Sequence, residues 1–524
     1  MKRFFSYNRG ATDSISNIAI IVLIIFTLAL PIFGPGLAQV DWGFNQISYL
    51  PAALYYLWLL LAVALVALLF LTPRSHFLSA ATAKYLWGDK KVIGRAALAA
   101  AALIVFFVFR FDAHLFGNGY IRTANFAQKP EPIFRWFEYG GTIIPYALYQ
   151  IIHALGTAKI TAAVRAYQII SFASGIWYLL ICLKISEHVS DDDNDRVGFF
   201  ALTLFTGLTM FFFGMIENSP LLLPMIAAFV YFILKHVRLK RPDYVIYIWV
   251  LSLIGILLDA RMIPLIPASI FVTLDHLIKR RRMGKFLASL TASVAILCAV
   301  AIIYLDAVGN IALSKFILFF SGKPPDTNYS LLSIRHLADI FSLLYMFVPL
   351  LGVYLYAIIR GFIHLKGDRL FIALIFLTIS QILCIFILDP SHGMARDIHI
   401  FGFLATGFLL LGAYSLVRSR ERLKLSRDIF MTLAPISLIV MLPVFFVHLS
   451  ADTSEKYLDD FLTYSQTKYE PALLAVRDFH IMEGNNEKAI EVERSITAKS
   501  PAALQSQLVN DLYAHERISE AFEY

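Results

Sequence analysis

Long apolar runs recur along most of this sequence, and they constrain its fold more than any other feature. The chain is 59% hydrophobic and only 16% charged, which excludes a soluble globular protein of ordinary composition. A helix that crosses a bilayer needs roughly 17 to 25 apolar residues. By that rule the sequence predicts an all-α polytopic membrane protein with about thirteen transmembrane helices. They are expected at residues 15–33, 50–72, 92–110, 162–185, 197–214, 220–237, 244–258, 262–278, 284–305, 338–361, 369–388, 397–417 and 428–449.

Basic clusters between these runs predict the orientation of the chain. The formal charge of +8 does not indicate a nucleic-acid partner, because the basic residues lie in short clusters rather than on one long face. The clusters fall on one side of the predicted bundle, which the positive-inside rule makes cytoplasmic. We therefore expect a multi-pass protein of the inner (cell) membrane, with a retained first span, a cytoplasmic N-terminus and an external C-terminus. The clusters are Lys2/Arg3/Arg9, Lys84/Lys90/Lys91, Lys235/Arg238/Lys240/Arg241, Lys279/Arg280/Arg281/Arg282, Arg360/Lys366/Arg369 and Arg418/Arg420/Arg422/Lys424/Arg427.

The segment Thr142–Gly156 is apolar but is predicted not to cross the membrane. It is short, contains Pro145 and His153, and would reverse every later basic cluster if it were a span. We expect it to lie in the membrane interface, inside a long external loop over residues 111–161.

The chain is accordingly divided into three predicted parts. Residues 1–91 hold two N-terminal spans and an amphipathic cytoplasmic linker, residues 92–449 form the main membrane domain, and residues 450–524 form a soluble helical tail. The tail resembles a tetratricopeptide unit around Glu483-Gly484-Asn485-Asn486, although a short capping bundle explains it equally well.

Polar and charged side chains gather at the predicted external ends of the spans. Charged groups in such positions usually serve a ligand or a reaction. Glu217 alone could also cap a helix, and Asp259 with Arg261 could be a surface ion pair. The candidate site residues are Asp112, His114, Asn118, Tyr120 and Arg122 in the long loop, Glu217 and Asn218, Asp259 and Arg261, Arg335 and His336, and Arg396 and Asp397.

This set of groups suits the chemistry of an anionic substrate at the membrane surface. Arginines can bind phosphate oxygens in bidentate fashion, and a carboxylate such as Asp112 can accept a proton from a hydroxyl group. Acidic and imidazole groups could instead hold a divalent cation that counters the charge of the leaving phosphate. No spacing in the sequence is a metal-binding motif, so no metal ligands are assigned.

At these residues, over about 90–450, the chain resembles the GT-C class of polytopic glycosyltransferases. Protein O-mannosyltransferases and lipid A aminoarabinose transferases in that class carry a catalytic acid in the first large external loop, together with an interfacial helix. The region of Asp112 and the segment Thr142–Gly156 match this arrangement. The stretches Phe213–Pro220, Tyr329–Leu337 and Gly393–Asp397 are similar to a bacterial branch of the class, some members of which have tetratricopeptide tails.

The resemblance implies sugar transfer from a polyprenyl-phosphate-linked donor to an acceptor on the external face, with inversion. That branch tends to have Gly-Asp-Gly where this chain has Gly117-Asn118-Gly119, and an Asn side chain cannot act as a general base. Asp112 is therefore the expected base. Arg261 and Arg396 are expected to hold the lipid phosphate, and Glu217, His336 and Asp397 are expected to shape the sugar site; the sugar and the acceptor are not specified.

Two other classes of function remain open. A lipid or glycan transporter or flippase would carry charges near the middle of its spans and pseudo-symmetric halves, and the sequence shows neither. A catalytically impaired scaffold that acts through its tail is kept open by Asn118.

Overall fold

The computed structural model describes residues 11–33, 42–71, 75–111, 113–127, 134–241, 243–280, 318, 329–390, 393–464 and 469–497, and their regular structure is helical. The predicted all-α class is therefore confirmed. The first helices are α1 Ala11–Phe33, α2 Ala52–Leu71, α3 Ser75–Leu86, α4 Lys91–Val108, α5 Gly119–Ala127, α6 Tyr139–Ala154, α7 Lys159–Val189, α8 Asp193–Leu204, α9 Ser219–Leu239 and α10 Asp243–Leu258. They are followed by α11 Leu265–Arg280, α12 Ile334–Phe347, α13 Leu351–His364, α14 Arg369–Ile387, α15 Ile398–Ser419, α16 Arg427–Leu449, α17 Ala451–Tyr464, α18 Tyr469–Met482 and α19 Asn486–Thr497.

Seven helices in the described part of the chain are long and apolar enough to cross a membrane. They are Ile15–Phe33, Lys91–Val108, Lys159–Val189, Ser219–Leu239, Arg369–Ile387, Ile398–Ser419 and Ile429–Leu449. The helices over Ala52–Ala67 and Asp243–Leu258 are apolar but shorter. The predicted span 284–305 lies outside the described residues, so the count of thirteen stays a prediction.

One span that the sequence predicts as a straight helix, 338–361, is instead a pair of helices. α12 and α13 meet at an angle of 94°. Pro349 lies at the bend, where it lacks the N–H that a continuous helix would need, and the preceding Val348 leaves the helical conformation (φ −132°, ψ 74°).

The predicted helix over 197–214 is also interrupted. α8 ends at Leu204, and the chain continues as a 3-10 helix over Gly207–Phe212. Gly207 packs directly on the backbone of the α12 end, since a Cβ atom there would lie 2.0 Å from the carbonyl oxygen of Met346. The close approach of two backbones explains why the regular helix stops at this point.

α7 packs against α4, α5, α6 and α9. Small residues allow the helices to come close together. A Cβ atom on Gly175 of α7 would lie 2.6 Å from the ring of Phe106, and one on Gly412 of α15 would lie 2.4 Å from the ring of Tyr354 on α13. Tight helix contacts thus fix the positions of the loops at the ends of the bundle.

Acidic and basic segments meet at one end of the bundle. The guanidinium of Arg420 lies 2.7 Å from the carboxylate of Asp195, and that of Arg427 lies 3.4 Å from the carboxylate of Asp192. The acidic run before α8 and the basic cluster between α15 and α16 are therefore on the same side, as the predicted topology requires. Which side of a membrane this is stays a prediction.

The C-terminal tail begins directly after α16 and packs on the rest of the chain. The hydroxyl of Tyr457 on α17 donates a hydrogen bond of 2.6 Å to the carbonyl of Trp42, and Tyr49 donates one of 2.9 Å to Asp460. α18 and α19 form a helical hairpin. Residues 498–524 lie outside the described residues, and the tetratricopeptide resemblance stays a prediction.

The packing at Gly412 gives a first testable prediction. In Gly412→Val the new side chain would push α15 away from Tyr354, and we expect a loss of about 1–3 kcal/mol of stability and a lower Tm in detergent. Gly367→Val is the matched control, because no atom lies within 4 Å of a Cβ at that position. Equal Tm values for the two variants would contradict the tight α13–α15 contact.

Candidate active site at one end of the bundle

Arg122 on α5 binds two buried carboxylates at once. Its Nε atom donates to Glu217 Oε2 at 2.7 Å, and its Nη2 atom donates to Glu138 Oε2 at 2.6 Å. All three side chains are buried. Burial alone would lower the pKa of Arg122, but the two carboxylates raise it well above its ordinary value, so the guanidinium stays charged.

Glu217 lies in the turn before α9 and accepts a second bond from the start of α5. The backbone N–H of Asn118 donates to its Oε1 atom. Gly117 allows this contact, because it has a φ of +99° and a Cβ there would lie 2.7 Å from the same oxygen. Burial raises the pKa of Glu217, while Arg122 and the N–H of Asn118 oppose that rise.

Glu138 belongs to the same cluster, although the sequence did not single it out. Burial opposes ionisation of its carboxyl, but the charges of Arg122 and Arg261 outweigh that cost and lower its pKa. Asn218 holds it from the other side, with Nδ2 at 3.2 Å from Glu138 Oε2 and at 3.3 Å from Thr142 Oγ1. In the sequence, the only signal for Glu138 was its position directly before Tyr139-Gly140-Gly141.

Asn118 uses its side chain as a hydrogen-bond donor. Its Nδ2 atom lies 2.9 Å from Nε2 of His399, which must accept because an amide nitrogen can only donate. With that amide assignment His399 carries its proton on Nδ1. His399 also lies 3.8 Å from Glu217 and was not among the predicted site residues, although it flanks Arg396 in the sequence. Asn118 therefore positions a neutral imidazole and performs no base chemistry here.

Asp259 and Arg261 form a buried local pair rather than a surface pair. The Nε atom of Arg261 donates to Asp259 Oδ1 at 2.7 Å, its backbone N–H donates to the same oxygen at 2.9 Å, and its Nη2 atom donates to Oδ2. The guanidinium also lies 5.6 Å from the ring centre of Phe403. The positive charge of Arg261 lowers the pKa of Glu138. The hydrogen bonds of the Arg261 guanidinium, however, go to Asp259.

Arg396 differs from these arginines. It lies in the loop before α15 and is only 1% exposed, yet Nε, Nη1 and Nη2 have no hydrogen-bond partner in the described part of the chain. Burial lowers its pKa to about 10, opposed by the charges of Asp397, Glu217 and Asp478, so it remains a cation at neutral pH. Burying a cation without hydrogen bonds costs free energy, and a bound anion would supply both the acceptors and the negative charge. Asp397, its neighbour in sequence, is also buried.

His114 and Tyr120 form an aromatic wall beside the cluster. The backbone N–H of His114 donates to the Tyr120 hydroxyl at 3.1 Å. Burial lowers the pKa of His114 to about 4, with the nearby His448 adding to the effect, so this imidazole is neutral at physiological pH. These two predicted site residues support the loop rather than offering a charge to a ligand.

Arg335 and His336 lie in surroundings of their own at the start of α12. Arg335 lies 5.9 Å from the ring centre of Tyr329, whose hydroxyl donates to Asp339 at 2.8 Å. His336 is buried, with Nδ1 at 2.9 Å from the carbonyl of Leu331. These contacts hold the two residues to the segment over 329–339, whereas the Arg122 cluster is built from α5, α6 and the turn before α9.

Asp112, the predicted base, lies outside the described residues. The residues on either side of it, Phe111 and Ala113, are buried, and the Phe111 N–H donates to the carbonyl of Phe213 at 2.9 Å. Among the described residues, no group of three or more His, Cys, Asp or Glu side chains could hold a metal ion.

A cleft opens beside the Arg122–Glu138 pair. It encloses about 460 Å³, including the part continuous with solvent, and most of its lining residues are polar. The hydroxyl of Tyr167 is buried at this cleft without a hydrogen-bond partner in the described chain. The lining residues are Asn118, Ile121, Arg122, Asn125, Arg135, Glu138, Thr142 and Tyr167.

The shared Arg122 gives a stability prediction. Arg122→Met leaves two buried carboxylates without their cation, and we expect a loss of about 3–5 kcal/mol, read as a lower Tm. Adding Glu138→Gln and Glu217→Gln to that variant should restore most of the loss, because no buried charge is then uncompensated.

Arg122→Met should become more stable at low pH, whereas in the wild type the lowered pKa of Glu138 and the raised pKa of Glu217 act in opposite directions. In the wild type the lowered pKa of Glu138 contributes stability above the ordinary Glu pKa, and this contribution is lost as the pH falls. In Arg122→Met the unpaired carboxyls take up protons more readily when folded, so Tm should rise as the pH falls from 7 to 5. A variant with unchanged Tm and pH dependence would contradict the arrangement.

No protein-family model and no curated protein sequence matches the chain. Among solved structures, the chain is similar to ArnT from Cupriavidus metallidurans bound to undecaprenyl phosphate, with 12% identity and a TM-score of 0.41 over 78% of this chain and 81% of that one. It is also similar to the same protein in the apo state, with 13% identity and a TM-score of 0.36 over 77% and 73% of the two chains. ArnT is a GT-C glycosyltransferase, the class that the sequence resembles. At this TM-score the likeness assigns no activity to the chain and no role to any residue.

Proposed function

We propose that this protein is a membrane glycosyltransferase that transfers a sugar from a polyprenyl-phosphate-linked donor to an acceptor on the external face of the membrane. The observation that carries the proposal is Arg396, a buried guanidinium whose three nitrogens lack partners among the described residues. A phosphate group offers the paired oxygens that such a planar donor binds best.

The exposed apolar surface of α4 favours a phosphate that is attached to a lipid. α4 is only 11% buried and ends at Val108, immediately before the loop that carries His114 and Asn118. Its side chains Ile104, Phe107 and Val108 are exposed and apolar. An isoprenoid chain could lie along this surface within the bilayer while its phosphate reaches the loop.

The cleft beside Arg122 supports a sugar as the transferred group. Its lining presents a carboxylate, amides and hydroxyls, which are the groups that bind sugar hydroxyls. The unpartnered Tyr167 hydroxyl adds one more hydrogen-bonding group. The proposal that Glu217, His336 and Asp397 shape this site stays open, and Glu217 is already held by Arg122.

In the proposed reaction an acceptor hydroxyl oxygen attacks the anomeric carbon of the sugar. The bond between that carbon and the phosphate oxygen breaks, and the polyprenyl phosphate leaves with the electron pair. Asp112 takes the hydroxyl proton, and the configuration at the anomeric carbon inverts. Arg396 stabilises the charge that develops on the leaving phosphate, because its donors are already fixed in place. Arg261 contributes a fixed positive charge, since Asp259 occupies its donors.

A lipid transporter could use the same arginine to bind a phosphate, so reconstituted protein must separate the two functions. With radiolabelled polyprenyl-phosphate sugars in vesicles, sugar transfer supports the enzyme. Movement of intact donor across the membrane without transfer would support a flippase. Absence of both transfer and movement would support a scaffold.

Replacement of Arg396 tests the phosphate site. We expect Arg396→Gln to weaken binding of undecaprenyl phosphate to the detergent-solubilised protein by about 100-fold, because the charged hydrogen bonds to the phosphate are lost. Arg165→Gln is the matched control, since Arg165 is an exposed arginine near the start of α7 and the substitution removes the same charge. Equal affinities for the two folded variants would reject Arg396 as the phosphate ligand.

Replacement of Asp112 tests the base. Asp112→Asn should reduce sugar transfer by about 100-fold or more, as expected for a lost general base, and leave undecaprenyl phosphate binding unchanged. Transfer at the wild-type rate in this variant would show that another group takes the proton.

A further inference from the structure

Two oppositely charged side chains line the cleft without a hydrogen bond between them. The Nη1 atom of Arg135 lies 3.9 Å from Oε1 of Glu138, which is beyond hydrogen-bond range. The two residues bound a single 3-10 turn over Trp136–Glu138, in which the N–H of Glu138 donates to the carbonyl of Arg135 at 3.1 Å. The backbone therefore holds the residues together, while their charged ends stay apart.

The gap lies at Oε1 because the other oxygen of Glu138 is already bound. Oε2 accepts from Nη2 of Arg122 at 2.6 Å and from Nδ2 of Asn218 at 3.2 Å. Among the described residues, none donates a hydrogen bond to Oε1. The side chain of Glu138 is 5% exposed and that of Arg135 is 47% exposed, so the guanidinium lies nearer to solvent than the carboxylate does. Oε1 is thus the oxygen left for a ligand in the cleft.

A hydroxyl group fits between these two atoms. A hydroxyl oxygen both accepts and donates hydrogen bonds. At about 2.8 Å from each atom it accepts from Arg135 and donates to Glu138, and both bonds then have ordinary lengths. Water can make the same bridge, and a sugar hydroxyl that displaces the water restores the same two bonds.

Charged substituents do not fit at the same place. An ammonium group has no acceptor, so it cannot bind Arg135, and it lies beside a guanidinium of the same sign. A carboxylate has no donor, so it cannot bind Glu138, and it lies beside a second carboxylate. Glu217 offers an ammonium no alternative, because its two oxygens already accept from the N–H of Asn118 and from Arg122.

We infer that Arg135 and Glu138 select an uncharged sugar, one hydroxyl group of which bridges the two side chains. The inference rests on the proposed function, because the sugar is the one carried by the lipid-linked donor. Arg135 determines specificity and takes no part in the reaction itself. Its positive charge is what keeps an amino sugar away from the Glu138 carboxylate.

Binding of lipid-linked sugars to the detergent-solubilised, full-length protein tests the inference. The probes are undecaprenyl-phosphate-linked glucose, galactose and mannose, together with analogues of the tightest binder in which one hydroxyl at a time is replaced by an amino group. At about pH 6 an amino group of ordinary pKa is charged. We expect one analogue to bind the wild type about tenfold or more weakly than its parent does.

Replacement of Arg135 should reverse this loss. Arg135→Gln should bind the rejected analogue about tenfold more tightly than wild type, because the ammonium then meets Glu138 without a neighbouring guanidinium. Misfolding does not produce such a gain of affinity. Adding Glu138→Gln should remove the gain, because the carboxylate is lost. Arg165→Gln is the matched control, since it removes the same charge from an exposed position on α7. It should discriminate like wild type.

Equal binding of the parent and every amino analogue, or an unchanged preference in Arg135→Gln, would overturn the inference. So would failure of all three neutral sugar lipids to bind more tightly than undecaprenyl phosphate itself. The transfer assay judges the proposed function separately. Transfer of every amino sugar at the rate of its parent would keep the proposed function and overturn the inference. A preference that depends on Arg135, without transfer of any sugar, would support the inference and overturn the proposed function.

Discussion

The arrangement of the candidate site depends on one buried cation shared by two carboxylates. Arg122 joins Glu217 from the turn before α9 to Glu138 from the start of α6, so three distant segments meet at one point. An ion pair in such surroundings adds little net stability compared with apolar packing, but it is costly to break. This interaction therefore fixes geometry more than it stabilises the fold. Asn118 and His399 take their positions from the same cluster.

The arginines at this end of the bundle fall into two groups according to their hydrogen-bond partners. Arg122 and Arg261 use their donors on carboxylates of the chain itself. Arg396 has no such partner among the described residues, although Glu217 and Asp478 are near enough to act on it electrostatically. Carboxylates of the chain neutralise Arg122 and Arg261, whereas Arg396 is left without hydrogen bonds in the part of the chain that the structure describes. This arrangement favours binding of one anionic group at Arg396. Under the proposed function, Arg396 binds the ligand while Arg122 and Arg261 are structural.

Much of the fold could be predicted from the sequence, because apolar length and basic clusters report directly on spans and their ends. The meeting of Arg122, Asn118 and Glu217 was also predictable, since all three lie at helix ends expected on one side. The bend between α12 and α13 was missed even though Pro349 signals it. Glu138 and His399 were missed because single polar residues at helix starts carry no local pattern. Whether Arg335 and His336 belong to the site stays a prediction, because topology gives the side of the bundle but not the distance across it.

The docking of the tail could not be predicted for a similar reason. The contact between Phe479 and Tyr120 joins two residues that are far apart in the sequence, and each one looks like an ordinary buried aromatic. The donor role of Asn118 also required coordinates, because the amide does its work through a single bond to His399. Sequence reasoning treated Asn118 as a departure from a catalytic acid, whereas the structure gives it a positioning role.

The most direct test of the account is an experimental density map of the full-length protein with undecaprenyl phosphate. The account predicts phosphate density within about 3 Å of the Arg396 guanidinium, at hydrogen-bond distance, with the lipid chain along α4. Phosphate density elsewhere, with Arg396 bound to a carboxylate of the chain, would contradict it.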